Sequence, residues 1–457
     1  MIDRNLAKTR EIAEEVRKLG GRTFFAGGFV RDRLLGLESK DVDIEVHGIE
    51  ADKLSELLRS MGNVRTQGKS FGIYSLGGYD IDIALPRKER NTGRGHRDFE
   101  VFTDPHLGTE AAARRRDFTI NSMMEDVLTG EVVDHFRGIE DLEKGIIRHI
   151  DSESFREDPL RVLRGARFAA RFGFTVAPET VKLCRGMVLS ALPAERIMTE
   201  LEKGLCKSRK PSIFFRVLRD MDQLKTWFPE IEKLIGLRQD PVYHPEGDVW
   251  EHTMEVLDRA VCYRDRALNP LGFMLTALTH DLGKIETTEE INGRIHAYGH
   301  ELAGRPIVAS FLRRITRNRE LTGYVINMTT LHMKPNIVAG SRGKIKSTNR
   351  MFDESVSPED LIAFSRIDRF YEAYDGEEED ALKFLNERLE IYREYMARPH
   401  VTGGDLIDAG ITPDECFGRA LEYAHKLRLA GVDKSSALKQ TIAFHRQLTK
   451  QSSEIEK

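Results

Sequence analysis

The stretch Gly27–Val46, GGFVRDRLLGLESKDVDIEV, constrains this chain more than any other. Two glycines follow the apolar run RTFFA, an amphipathic run comes next, and Asp41 and Asp43 close the segment with one valine between them. Successive side chains of a strand point to opposite faces, so Asp41 and Asp43 project from the same one. Carboxylates placed like that repel unless a cation sits between them, and oxygen-only donors suit Mg²⁺. The segment IDI puts Asp82 on another predicted strand between apolar neighbours, as a third candidate carboxylate. Gly27 and Gly28 offer a turn without Cβ atoms whose backbone N–H groups can face an anion. The predicted helix over Val30–Leu37 adds its positive N-terminal dipole there. A bare Asp-x-Asp also fits an exposed edge strand, and a bare Gly-Gly an ordinary turn; their combination favours a metal and phosphate site.

A chain of 457 residues is too long for one ordinary core, and two to four domains are expected. Short β-type runs (RTFFAGG, DVDIEV, FGIYSLGG, YDIDIAL) alternate with helical ones up to about residue 150, which predicts an α/β unit over 1–150. Beyond Asp151 the pattern is helical, with a boundary in the Pro/Gly/Asp-punctuated segment Gly236–Asp248 and an acidic run at Asp375–Asp380. Helical parts over 151–236, 237–371 and 372–457 are therefore expected. No apolar run reaches the roughly 18–20 residues that span a bilayer, and the charged amphipathic N-terminal segment has no signal-peptide core. Four cysteines lie far apart with no C-x-x-C spacing, which predicts free thiols in a reducing, cytoplasmic setting.

The net charge of −4 excludes a clamp that holds any nucleic acid by charge alone. Positive charge is nevertheless concentrated in Arg87–Arg97, Arg114–Asp117 and Arg161–Phe172, and phosphate is expected there. In EDPLRVLRGAR, Pro159 suits a first helical position with Asp158 as N-cap, and Arg161, Arg164 and Arg167 recur near one helix face. Such a stripe can simply be solvated, but an Asp–Arg pair has a sharper use. Cytosine and adenine both present an amine beside an unprotonated ring nitrogen; guanine and uracil present a carbonyl beside a ring N–H. An ionised Asp only accepts and an Arg only donates, so an edge-on pair satisfies C and A and mismatches G and U.

Taken in order, GGFVRD…DVD, RRRDFTINSM (Arg114–Met123), REDPLRVLRGARFAARFGF (Arg156–Phe174) and ERIMTELEKGL (Glu195–Leu205) resemble the successive motifs of class II tRNA nucleotidyltransferases. These are the CCA-adding enzymes and related bacterial poly(A) polymerases of the DNA polymerase beta superfamily. The resemblance implies a nucleotidyltransferase head with a small mixed sheet and helices, followed by an all-α neck, an all-α HD domain and a helical tail. It implies that Asp41 and Asp43, with Asp82, hold Mg²⁺ while an RNA 3′-hydroxyl attacks the α-phosphate of CTP or ATP. Gly27, Gly28, Arg31 and Arg116 would then approach the triphosphate, and Asp117 and Asn121 the ribose. Asp158 and Arg161 would read the base, with Arg164 and Arg167 facing phosphate or bracing the pair. The basic, Gly-rich segment Leu85–Asp104 matches a flexible loop that in the family aids the switch from C to A addition.

The second half carries a histidine series: HPEGDVWEHTMEVL, LTHDLGK, GHELAG, TTLHMKP and SRIDRF. It resembles the HD phosphohydrolase domain, with His252, His280, Asp281 and Asp368 as the implied ligands of a divalent metal of unknown identity. His300 and His332 are further candidates, and His244 and His296 are equally well read as structural. The expected function is template-independent addition of C, C and A to the tRNA 3′ end, with HD phosphatase or phosphodiesterase activity, by a monomer or homodimer. The alternatives are CC-only or A-only addition, a poly(A) polymerase, a metallo-phosphohydrolase whose N-terminal half binds RNA, and a non-catalytic RNA-binding scaffold.

Overall fold

A computed structural model of the chain describes residues 2–38, 41–67, 72–91, 99–369 and 377–455. Two compact units divide at Glu232 and Lys233.

The first unit is built on a seven-stranded mixed sheet. Its strands are β1 (Arg22–Ala26), β2 (Val42–His47), β3 (Val64–Gln67), β4 (Ile73–Leu76), β5 (Ile81–Ala84), β8 (Met124–Asp126) and β9 (Val132–Val133), in the order β3-β4-β5-β2-β1-β8-β9. Between β5 and β8, β6 (Arg87–Asn91) and β7 (Phe99–Thr103) form a separate antiparallel ribbon. The loop proposed over Leu85–Asp104 is thus strand on both flanks, and residues 92–98 at its tip lie outside the described residues.

Val42, Ile44 and Val46 pack into the core, as the alternation of β2 requires. The helix Ile2–Lys18 buries Ile12, Ala13 and Val16. The central pair, β2 and β5, is parallel, with Asp43 opposite Asp82. All other pairings within this sheet are antiparallel. β3, β8 and β9 carry too little alternation to be read in advance. The first helix after the glycines runs over Gly28–Leu34, two residues earlier than Val30–Leu37 suggests, because Gly27 turns the chain sooner.

The mostly helical continuation contains one exception to the expected all-α pattern. β10 (Ile146–Ile147) pairs in parallel with β11 (Thr175–Val176), so residues on either side of position 150 share a ladder. The helix Leu160–Phe172 buries Val162, Leu163, Ala166 and Ala169. It packs against Ala194–Lys207 and Ser212–Asp220.

The second unit is helical apart from a hairpin, β12 (Glu289–Ile291) with β13 (Arg294–His296). This corrects the expected all-α HD region: the turn at Asn292-Gly293 has positive φ at both residues, as a tight two-residue hairpin connection needs. Trp250, Phe273, Phe311 and Phe364 are among its fully buried side chains. Among the described residues no helix is long and apolar enough to cross a membrane.

Candidate functional site

In the first unit a cleft of about 800 Å³ opens between the sheet and the helix Leu160–Phe172. Asp43 and Asp82 line its floor, side by side through the parallel register of β2 and β5. Loss of hydration in the cleft and repulsion from Asp82 and Asp41 raise the Asp43 carboxyl above its ordinary value, against the pull of Arg116. Asp82 is raised by the same desolvation and by Asp41. Asp41 stands just before β2 and is exposed; it acts on both partners through its charge but does not itself line the cleft. Asp43 and Asp82, both raised by desolvation and by the nearby Asp41 charge, are oxygen donors that suit a hard divalent cation.

Gly27 has φ +65°, and a Cβ there would lie 2.5 Å from Arg116 Nη1. Only glycine allows the loop and the guanidinium to pass this closely. Arg116 is held by Glu45 Oε2 at 3.2 Å and by the carbonyl of Asn121 at 3.3 Å. Its side chain remains part-exposed and lines the cleft, where the guanidinium can also meet an anion. Glu45 was not anticipated, although it continues the alternate-residue series that begins with Asp41, just before β2, and Asp43. It is buried, and burial alone would raise its carboxyl; His47 at 2.9 Å and the Arg116 and Arg115 guanidiniums outweigh that and lower it to about 2. Glu45 thus belongs to the arginines, while Asp43 is left to the cleft.

Arg31 is buried, bonded to Asp32 Oδ1 at 2.6 and 2.8 Å and to Asn121 Oδ1, with the ring of Phe172 under its guanidinium. Asp32 in turn accepts from Arg171 at 2.9 Å. Asp117 and Asn121 meet at 2.9 Å, but with Asp117 in the bend before a 3₁₀ turn (Thr119–Asn121) that carries Asn121, not on the α-helix that their spacing suggests. The other oxygen of Asp117 receives Arg164 Nε at 2.6 Å, which holds the Asp117 carboxyl below its usual range despite burial. These groups therefore form one chain, Arg31–Asn121–Asp117–Arg164, along the cleft wall.

Asp158 and Arg161, the expected base-reading residues, are each engaged by other groups of the cleft wall. Asp158 Oδ1 accepts from the N–H of Leu160 at 3.1 Å, and Oδ2 from Arg196 at 2.9 Å. Arg161 donates to the carbonyls of Arg115 at 2.7 Å and Ser154 at 3.0 Å. Both still line the cleft. Arg167 also lines it but is buried, with its Nε on Glu200, so it braces the helix packing instead of facing phosphate.

In the second unit a cavity of about 430 Å³ is floored by His252, Asp281, His300 and Asp368. Three imidazoles are fixed by carbonyls that can only accept: His280 Nδ1 on Ala277 at 3.1 Å, His300 Nδ1 on Ala297 at 2.8 Å, and His332 Nδ1 on Thr329 at 2.7 Å. His252 Nδ1 uses a carboxylate, Glu246 Oε1, at 2.6 Å. All four Nε2 atoms therefore turn inward, the orientation in which imidazoles ligate a metal. His252 and His280 approach at 3.3 Å between these atoms, and His300 and His332 at 3.2 Å. Asp368 lies 3.1 Å from His252 and 3.0 Å from His280. Asp281 lies 3.3 Å from both His280 and His300, and belongs to two clusters of ligand-type atoms.

Burial alone would lower His280, but Asp281 and Asp368 raise it to about 10, whereas burial drives His332 down to about 4. Facing imidazoles beside two carboxylates are a donor set that fits a divalent cation, which would take the place of the His280 proton. Gly283 makes the arrangement reachable: a Cβ there would lie 1.9 Å from the carbonyl of His300. Glu246 and Lys284, which sits 2.8 Å from Asp281, were not anticipated; their presence beside the histidines in HPEGD and THDLGK was the available signal.

Residues 23–148 match the Poly A polymerase head domain, and residues 173–235 match the probable RNA and SrmB-binding site of polymerase A. The multifunctional CCA protein of Laribacter hongkongensis is 38% identical over 409 residues, which cover 86% of this chain and 94% of that protein. The chain belongs to the CCA-adding nucleotidyltransferase and poly(A) polymerase family. The family is metal-dependent, and this member is a tRNA nucleotidyltransferase. The Neisseria gonorrhoeae multifunctional CCA protein is 36% identical over 412 residues, covering 88% of this chain and 94% of its own. The fold is that of the CCA-adding enzymes of Bacillus stearothermophilus, in complex with CTP (TM-score 0.67, 19% identity, 96% of this chain and 98% of that one), and Thermotoga maritima, complexed with tRNA (TM-score 0.63, 22% identity, 96% and 94%). The expected fold class, a nucleotidyltransferase head followed by a largely helical remainder, is borne out, with the two small β-pairs as its exceptions.

Proposed function

We propose that this CCA-adding family member builds C, C and A onto tRNA 3′ ends in the first cleft, with CTP and ATP as substrates. The observation that carries the assignment is the in-register pair Asp43 and Asp82 on the floor of a cleft that Asp158 and Arg161 also line. Asp43, Asp41 and Asp82 would hold Mg²⁺, which when bound supplies charge neutralisation for an in-line phosphoryl transfer. The chain's own groups do the rest. Arg116, part-exposed in the cleft with Glu45 behind it, receives the triphosphate; Gly27 lets it approach. The Asn121–Asp117–Arg164 chain forms the ribose wall. Asp158 keeps acceptor capacity beyond its two bonds, and Arg161 offers donors, so the two read an amine and a ring nitrogen without a template.

The domain reading is a head over 1–150, a neck over 151–236, an HD region over 237–371 and a tail over 372–457 that grips tRNA. The second cavity is a separate hydrolase. His252, His280, Asp281 and Asp368 would hold a divalent metal, with His300 and His332 beside Asp281. It suits phosphomonoesters and 2′,3′-cyclic phosphodiesters. Water bonds to phosphorus, the ester P–O bond breaks, and the water's proton ends on the departing alcohol.

Incubating tRNA lacking CCA, C-A or A with CTP, ATP or both, and reading product length, tests the assignment. Stepwise addition of two C and one A is expected. Long untemplated tails or arrest after CC would replace it with one of the related activities.

A further inference from the structure

We propose that Arg171 is a further binding residue of the first cleft: it takes the outer phosphates of the incoming nucleoside triphosphate, with Asp32 as the residue that positions it. The inference rests on the nucleotide-addition reading of that cleft and adds a contact to the same site.

The helix Leu160–Phe172 presents one face to the cleft. Arg161, Arg164, Phe168 and Arg171 all line it, and steps of three and four residues keep side chains near one helix face. Arg171 comes ten positions after Arg161, which is about 15 Å along the helix axis. The order of groups on this face is the order of parts in a nucleotide. Arg161 stands with Asp158 at the base-reading end of the cleft. Arg164 is tied to Asp117 on the ribose wall. Arg171 follows at the opposite end of the helix, toward which the phosphates of a nucleotide laid in that order extend.

The charge there belongs to Arg171. Arg31 is only 3% exposed, and its Nε and Nη2 are spent on Asp32 Oδ1 at 2.8 and 2.6 Å, with Nη1 on Asn121. Asp32 is buried too, so Arg31 and Asp32 form an ion pair that is neutral as a whole within the cleft wall. The second oxygen of Asp32 accepts from Arg171 Nη2 at 2.9 Å. One carboxylate therefore anchors two guanidiniums, and the positive charge it leaves over is carried by the accessible one. The Arg171 side chain is 32% exposed, and its guanidinium carbon lies 4.8 Å from the centre of the Phe172 ring. Asp32 uses one of its five N–H donors, and others remain for phosphate oxygens. A guanidinium fork fixed by a carboxylate and a ring is already ordered for such a contact. Burial lowers the Arg31 guanidinium, and the Arg171 and Arg167 charges add to that against the pull of Asp32. An anion held at Arg171 relieves part of this repulsion. A plainer use of Arg171 exists, as a cation in the last turn of its helix paired with Asp32. That use makes no distinction between ligands with one phosphate and with three.

The test is equilibrium binding to the full chain with Mg²⁺ and without tRNA, so that no turnover occurs. Calorimetry reads CTP directly and CMP by displacement of CTP, for the unmodified chain, Arg171→Met and Arg171→Lys. Methionine keeps an unbranched stem against Phe172 and removes the charge. Arg171→Met is expected to weaken CTP roughly 10–100-fold, the loss of charge-assisted hydrogen bonds, and to leave CMP nearly unchanged. Arg171→Lys, which keeps the charge without the fork, should recover part of the CTP affinity. CTP affinity unchanged in Arg171→Met overturns the inference. So does equal weakening of CTP and CMP together with a lower Tm, which leaves Arg171 only its pairing with Asp32. An unmodified chain that binds CTP no more tightly than CMP overturns it as well. Addition to tRNA lacking CCA is read in parallel. Failure of the unmodified chain to add C or A defeats the nucleotide-addition reading alone, and the CTP and CMP series still decides the role of Arg171.

Discussion

Asp158 accepts a hydrogen bond from Arg196 at 2.9 Å, while Arg161, one helical turn further on, donates to the backbone of Arg115 and Ser154. The two base-reading groups are thus held by separate partners, each able to meet a different atom of the incoming base. Arg196→Met removes a part-exposed ion pair, worth about 0–1 kcal/mol to the fold, but frees the Asp158 carboxylate to rotate. The expected result is a chain of nearly unchanged Tm whose kcat/KM for CTP and ATP falls roughly 10–100-fold, the loss of one charged hydrogen bond. Arg161→Ala should relax discrimination against UTP and GTP. Single-nucleotide incorporation with each triphosphate checks both, and an unchanged profile in both variants removes this pair of positions from base reading.

Asp43→Ala should stop nucleotide addition, by roughly three orders of magnitude or more, and leave hydrolysis in the second cavity intact. Stability should move the other way. A carboxyl raised in the fold, as Asp43 and Asp82 are, makes the folded chain bind protons more readily, so without a cation their contribution improves as pH falls through the carboxylate range. Mg²⁺ should therefore raise Tm more at pH 7 than near pH 4. A Tm equally sensitive to Mg²⁺ in Asp43→Ala would place the ion elsewhere.

Glu45 acts with the opposite sign. Its folded value of about 2 lies below an ordinary value of 4.5, so its stabilisation is complete above about pH 4.5 and is lost as pH falls toward 2. The shift corresponds to about 3 kcal/mol as an order of magnitude. Urea midpoints measured between pH 7 and pH 3 should fall for the unmodified chain, and Glu45→Gln should start lower and flatten that dependence. Because Glu45 stands behind Arg116, the same variant should raise KM for the triphosphate.

Gly27→Ala combines a positive φ with a Cβ 2.5 Å from Arg116. The left-handed backbone alone costs about 1–2 kcal/mol, and Arg116 must move as well. A lower Tm together with a higher KM for both CTP and ATP is expected. Normal triphosphate affinity in a folded Gly27→Ala chain would show that the close approach is dispensable.

In the second cavity, Glu246→Gln keeps an acceptor for His252 but removes its charge. Loss of an outer partner of a metal-binding imidazole typically costs about 10–100-fold in affinity. Calorimetric titration of the chain with a divalent metal reads this directly, and nucleotide addition should be unaffected.

Local pattern was enough for much of this. The alternating pattern put Asp43 on β2 and Asp82 on β5, with Asp41 falling just before β2. The glycine turn, the helix bearing Arg161, Arg164 and Arg167, and the histidine series were equally readable, because each depends on residues within a turn or strand of one another. What the sequence could not supply was partnership at a distance. Parallel pairing of β2 with β5 is what sets Asp43 beside Asp82, and packing of the helix Ala194–Lys207 is what gives Asp158 to Arg196 and Glu200 to Arg167. Glu45 looks from the sequence like one more carboxylate of the shelf, and only the folded positions of Arg115, Arg116 and His47 make it their counter-ion. The hairpin β12–β13 likewise escaped a reading by periodicity, being too short to show one. A side chain's direction follows from its own backbone, but its charge state and its partner follow from which distant segments the core brings within a few ångströms, and Coulomb and hydrogen-bond energies act only over that range.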